Sequence, residues 1–128
     1  MGCFYTGFDY KNRKNGDLKI GEVGKNGLGE RMGSLRSEHN FQCLGYIKLI
    51  NDTKAERLAI ESFVRLRMSR ISGLTHVGND HFHYAIESKE TKYTQAQYLA
   101  NLALTYAKEA CEMFEIKWEE GTRKYKRS

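Results

Sequence analysis

Asn15-Gly16 lies between two apolar runs, and that arrangement most restricts what this chain can become. Asn and Gly both tolerate the positive φ that a tight hairpin turn demands. Residues 3–8, upstream, are rich in aromatic side chains and read as a strand. Residues 9–17 are polar, and residues 18–23 read as a second strand. The expectation is an antiparallel hairpin spanning residues 3–23.

The pattern beyond the hairpin mixes helix and strand. A Gly-rich loop covers residues 24–29, and Leu28, Met32 and Leu35 recur at the spacing of a short helix. Residues 41–50 are apolar and partly β-branched, which predicts a third strand. Gly45 within it marks a bulge or a close backbone approach. Asp52 or Thr53 is placed to cap the next helix, with Glu56 in its first turn. Ala55, Leu58, Ala59, Phe63 and Leu66 are its expected apolar stripe. Residues 72–80 read as a loop and residues 82–86 as a short strand or return segment. Thr94 is the expected cap of a long last helix reaching about Trp118, with Leu99, Leu102, Ala103, Tyr106, Ala110, Met113 and Phe114 on its apolar face. Gly121 stops it, and residues 123–127 form a basic tail. No internal repeat or linker interrupts the 128 residues, so one mixed α/β (α+β) domain is expected.

A formal net charge of +5 suits an anionic partner, and nucleic acid is the simplest one. Cys3, Cys43 and Cys111 are widely spaced and odd in number, and no CxxC pair exists. Neither a zinc ribbon nor a disulfide framework is suggested, and reduced, structural cysteines are the expectation. No apolar run approaches membrane-spanning length and no secretory segment is visible, so the expectation is a cytoplasmic protein without a membrane partner. The GxxxxGK[ST] pattern of a P-loop is absent.

Tyr5, Lys19-Ile20-Gly21, Arg31 and Glu61 form an ordered set on successive elements. Phosphodiester hydrolysis needs a water that loses a proton, stabilised phosphate oxygens and a relieved leaving oxygen. Glu61 is a candidate ligand for magnesium, and Arg31 has the planar fork that holds a phosphate. Tyr5 is placed to sit beside the attacking water, and Lys19 adds positive charge. The competing reading is plain. Arg57, Glu61 and Arg65 stand four residues apart and read equally as a salt-bridge ladder on a solvated helix face. His76, His81 and His83, with Asp80 adjacent, invite a metal reading. No Cys or HExxH pattern supports it, so scattered surface histidines are the expectation, as for His39. Ser34 and Ser37 near His39 make no credible triad.

This set resembles GIY-YIG nuclease domains, in particular the phage-type branch whose second signature reads KIG. Tyr5 stands in the place of the first signature's tyrosine, and Lys19-Ile20-Gly21 forms the second. Leu28-Gly29-Glu30-Arg31, with Met32 and Leu35, resembles that branch's Arg-bearing helix. Glu61 resembles the metal-binding glutamate. Gly78-Asn79-Asp80-His81-Phe82 resembles the segment that closes the module, with Asp80 replacing a glutamate. The resemblance implies a small, mostly antiparallel three-stranded sheet flanked by helices. Residues 1–88 would be the catalytic module, and residues 89–128 an added helix and basic tail packed on the same domain. It further implies a DNA endonuclease dependent on Mg2+ or Mn2+, with Tyr5, Lys19, Arg31 and Glu61 as catalytic residues and Glu61 on the metal. Lys25, Arg36, Arg65, Arg123 and Lys124 are the expected DNA contacts. The alternative is a module that kept this fold without cleavage and binds DNA or inhibits another nucleic-acid enzyme. Specificity in so small a chain points to a homodimer or a protein partner.

Overall fold

The computed structural model describes residues 2–11, 16–24, 27–78, 80–84 and 89–121, with the backbone alone for residues 89–94. Six strands and three helices follow one another as β1 (Gly2–Asp9), β2 (Asp17–Val23), α1 (Leu28–His39), β3 (Gln42–Ile50), α2 (Lys54–Ser69), β4 (Leu74–Val77), β5 (His81–Tyr84), α3 (Lys89–Phe114) and β6 (Lys117–Glu120). The strands form one sheet in the order β4-β5-β2-β1-β3-β6, and every neighbouring pair is antiparallel.

The expected hairpin is present. Cys3 faces Val23, Tyr5 faces Gly21 and Asp9 faces Asp17. Gly16 takes φ +78, a value glycine adopts without penalty, and Asn15 lies outside the described residues. Helices cover both faces of the sheet, so β1 is buried along its whole length and shows no inside–outside alternation. On one face Phe4, Phe8, Leu18, Ile20, Ile47 and Leu49 pack under α2 and α3. On the other, Cys3, Tyr5 and Tyr46 pack with Leu28, Met32 and Leu35 of α1 and with Phe41. Gly45 meets both expectations. The β1–β3 register shifts between Thr6 and Gly7, and Leu104 of α3 comes within 2.6 Å of where a Gly45 Cβ would stand.

The sheet has six strands where three were expected. The additional ones are four residues each: β5 overlaps the short strand or return segment expected at 82–86, while β4 and β6, at the two sheet edges, are too short to show a periodic pattern. β4 lies inside the expected loop at 72–80, and Gly78, with φ +69, turns it back into β5. The last helix stops at Phe114 rather than near Trp118. Glu115 takes φ 58, the Ile116 N–H donates to the Cys111 carbonyl at 2.8 Å, and residues 117–120 return as β6 along β3. The helix begins at Lys89, so Thr94 lies within it rather than at its cap.

One helix reading is narrowed and another changes in detail. Thr53, not Asp52, caps α2 through a reciprocal capping box with Glu56. The face that α2 buries is Ile60, Val64 and Met68, while Leu58 and Leu66 are 45% and 51% exposed. The expected stripe was shifted because α2 carries apolar residues on more than one face; Phe63 turns toward Phe114 of α3.

Candidate active site

β5 pairs with β2 only at Leu18 and Lys19, and the Asp80 carbonyl extends the contact by accepting the Ile20 N–H at 2.9 Å. Beyond that point residues 21–23 have no strand on this side among the described residues. The open margin lets side chains from opposite faces of the sheet approach each other.

From the α1 face come Tyr5, Lys19 and Arg31. Tyr5 is 1% exposed, and its ring meets Phe41 edge-on at 5.9 Å. Its hydroxyl accepts a hydrogen bond from Arg31 Nε at 3.3 Å. The ring lies over Gly21, where any Cβ would overlap the Tyr5 Cζ and Oη atoms. Gly21 is therefore a packing requirement of Tyr5. Lys19 is 3% exposed and donates from Nζ to Asp80 Oδ2 at 2.5 Å. Burial pushes the Asp80 carboxyl upward, but the His81 hydrogen bond and the Lys19 ammonium outweigh it and hold the group well below the usual carboxylate range. Arg31 is held more firmly protonated, first by the Tyr5 hydroxyl and also by the Asp80 charge.

From the α2 face comes Glu61. The sequence ladder is only half formed. Arg65 donates to Glu61 Oε1 at 2.8 Å, whereas Arg57 turns to Glu22 at 3.1 Å and Asp52 at 2.6 Å. Burial raises the Glu61 carboxyl above its ordinary value, and the charges of Asp80 and Glu22 push the same way against Arg65 and Lys19. Glu61 thus shares an electrostatic neighbourhood with Lys19 and Asp80, and Asp80 is close enough to act on Arg31. The four ordered residues fall into three polar pairs, Tyr5–Arg31, Lys19–Asp80 and Glu61–Arg65, and Asp80, just before β5, acts by its charge on both Arg31 and Glu61. Arg65 Nε is buried without a partner among the described residues. Arg36 is exposed in the last turn of α1, while Lys25, Asn79, Arg123 and Lys124 lie outside the described residues.

A second cluster adjoins the first. Asp9 Oδ2 lies 2.6 Å from His39 Nδ1 and 2.8 Å from His81 Nε2. The three donor atoms fall within 4.8 Å of one another and could hold a metal ion. Asp9 ends β1, His39 ends α1 and His81 starts β5, so residues far apart in the chain converge. His83 sits 3.2 Å from Asp17, and His76 stacks on Phe82 at 4.9 Å. Reading the histidines as scattered surface groups therefore misses His39 and His81, and it misses Asp9 altogether. No spacing motif marks the three; only their positions at element ends link them.

Protein-family models, curated proteins and solved structures offer no match to this chain. Among the described residues, no helix is long and apolar enough to cross a membrane.

Proposed function

We propose that this chain is a divalent-metal-dependent phosphodiester hydrolase acting on DNA, organised like a GIY-YIG nuclease. The observation that carries the reading is the Tyr5 hydroxyl, fixed over Gly21 by packing and bonded to Arg31, beside the Lys19–Asp80 pair. Because Tyr5 accepts from Arg31, its own proton remains available to a water or a phosphate oxygen. Arg31 has further guanidinium donors for a phosphate. Arg65 keeps a buried donor unspent, next to the carboxylate of Glu61.

The donor set fits a hard cation. Glu61 feels the negative charges of Asp80 and Glu22, and all three offer oxygen, each already paired with a cation: Arg65 on Glu61, Lys19 on Asp80, and Arg57 and Lys54 on Glu22. Glu61 would hold Mg2+ or Mn2+. Such an ion supplies stabilisation of charge on the phosphate and leaving oxygens. Arg31 would orient the scissile phosphate, Tyr5 would direct the water, and Lys19 would keep the Asp80 carboxylate in place. The exposed Arg36 and the basic residues Lys25, Arg123 and Lys124 suit phosphate-backbone contacts, whose strength falls with salt. A homodimer or protein partner would supply specificity that one small domain lacks.

A second reading is favoured by one observation: the polar pairs satisfy each other, and Tyr5 and Lys19 are almost fully buried. On that reading the module binds DNA, or a nucleic-acid enzyme, without cutting. Incubation of supercoiled plasmid with the protein and Mg2+ or Mn2+ separates the two. Nicking that disappears in Glu61→Ala and with chelator supports the hydrolase. Salt-sensitive binding by folded wild type, without cleavage of any DNA form, supports the binding module.

A further inference from the structure

Two imidazoles and one carboxylate are a poor set for magnesium, which prefers oxygen and keeps its waters. They are a good set for a borderline first-row ion. We propose that Asp9, His39 and His81 form a binding site for a zinc-class transition-metal ion, separate from the carboxylate position at Glu61.

The geometry carries this. The candidate ligand atoms are Asp9 Oδ2, His39 Nδ1 and His81 Nε2, and all three lie within 4.8 Å of one another. Asp9 is 2% exposed, and the two imidazoles are 20% and 18% exposed. The ion would be shielded while one side remains reachable for a water or an anionic group. Two of the ligands already have the outer hydrogen bonds that metal sites use to fix orientation. His81 Nδ1 faces Asp80 Oδ1 at 2.8 Å, which holds the ring with Nε2 directed at Asp9. Asp9 Oδ1 accepts the Lys11 N–H at 2.9 Å, which leaves Oδ2 for the ion. Three protein ligands with an open fourth position match the usual count of a reactive zinc site rather than a closed structural one.

Each ligand belongs to a different element, so the ion would clip the end of β1 to the end of α1 and the start of β5. The Tyr10 N–H donating to the His39 carbonyl at 3.2 Å already draws two of these ends together. The outer partner of His81 is the same Asp80 that binds Lys19. Occupancy would therefore stiffen Asp80, and through it the margin where Tyr5, Lys19 and Arg31 meet. The inference does not rest on the hydrolase reading.

The test uses the full chain stripped with chelator and titrated with Zn2+, Co2+ or Mg2+ alone. Expected are one Zn2+ per chain by calorimetry, a rise in Tm, and visible Co2+ bands of a low-coordinate N/O site. His39→Gln, whose position is partly exposed, should weaken Zn2+ binding by about 10-fold or more while circular dichroism stays native. Asp80→Asn should weaken it by roughly 10- to 100-fold through the outer hydrogen bond. Glu61→Ala should leave Zn2+ binding unchanged, so this result stands apart from any outcome of the cleavage assay. Absence of stoichiometric Zn2+ binding would overturn the proposal. So would binding that a folded His39→Gln variant retains in full, or a Tm rise that Mg2+ reproduces equally.

Discussion

Gly21 shows how one residue without a side chain fixes the position of an aromatic ring on the neighbouring strand. A methyl group there would occupy the space of the Tyr5 ring, and that ring cannot swing away easily because it is buried against Phe41. Gly21→Ala is expected to destabilise the protein by about 1–3 kcal/mol, the range for overpacking a filled core. It should also displace the Tyr5 hydroxyl from Arg31. Gly33→Ala provides the control. No heavy atom lies within 4 Å of its added Cβ, and it sits inside a helix, so it should gain about 0.5–1 kcal/mol. Denaturant unfolding of both variants checks the pair, and equal effects would refute the packing argument. The elements that carry Tyr5, Lys19, Arg31 and Glu61 are legible in the sequence because the local pattern reveals the type of each. Asp9, His39 and His81 are not legible. Their meeting depends on strand register and on where α1 ends, which no local pattern encodes.

The secondary-structure elements divide in the same way. The β1–β2 hairpin, α1, β3 and α2 are legible because turn chemistry and periodicity agree over enough residues. β6 is not, because Met113 and Phe114 carry the apolar helical spacing to the last residue of α3, and no Gly or Pro marks the reversal that follows at Glu115. Those side chains are 58% and 39% exposed, so the apolar pattern outruns the buried face. The reversal places a non-glycine residue at φ 58. For an L-residue the left-handed region costs about 1–2 kcal/mol. Glu115→Gly is therefore expected to raise unfolding free energy by about 1 kcal/mol, with β6 pairing kept. Unfolding in urea would measure it; a loss of stability would mean that Glu115 makes contacts outweighing its backbone strain.

At the scale of the molecule, the layered arrangement explains why a candidate site forms at the edge of β2 and not over its centre. Helices bury both faces of the sheet, so polar groups from opposite faces meet only where a strand neighbour runs out. A nearby ion-pair group holds the same layers together. Asp52 accepts the Gly2 N–H at 2.9 Å and the Arg57 guanidinium at 2.6 Å, and Arg57 also reaches Glu22 on β2. One carboxylate thus joins the start of β1, the loop before α2 and, through Arg57, β2. Burial pushes Asp52 upward, but Arg57 and the backbone donors prevail and its carboxyl lies below the ordinary value. A free aspartate titrates near pH ~3.9. A group with a depressed folded value contributes stability that is fully present above that point and is lost as pH falls through the folded value. Wild type should therefore lose stability between neutral pH and about pH 3 more steeply than Asp52→Asn, which is weaker at pH 7 and has no charge there to lose. Urea unfolding at a series of pH values reads the difference. The gap between the two proteins should narrow as the medium becomes acidic. A constant gap would show that Asp52 acts through shape and hydrogen bonding alone, and that its charge does not join the layers.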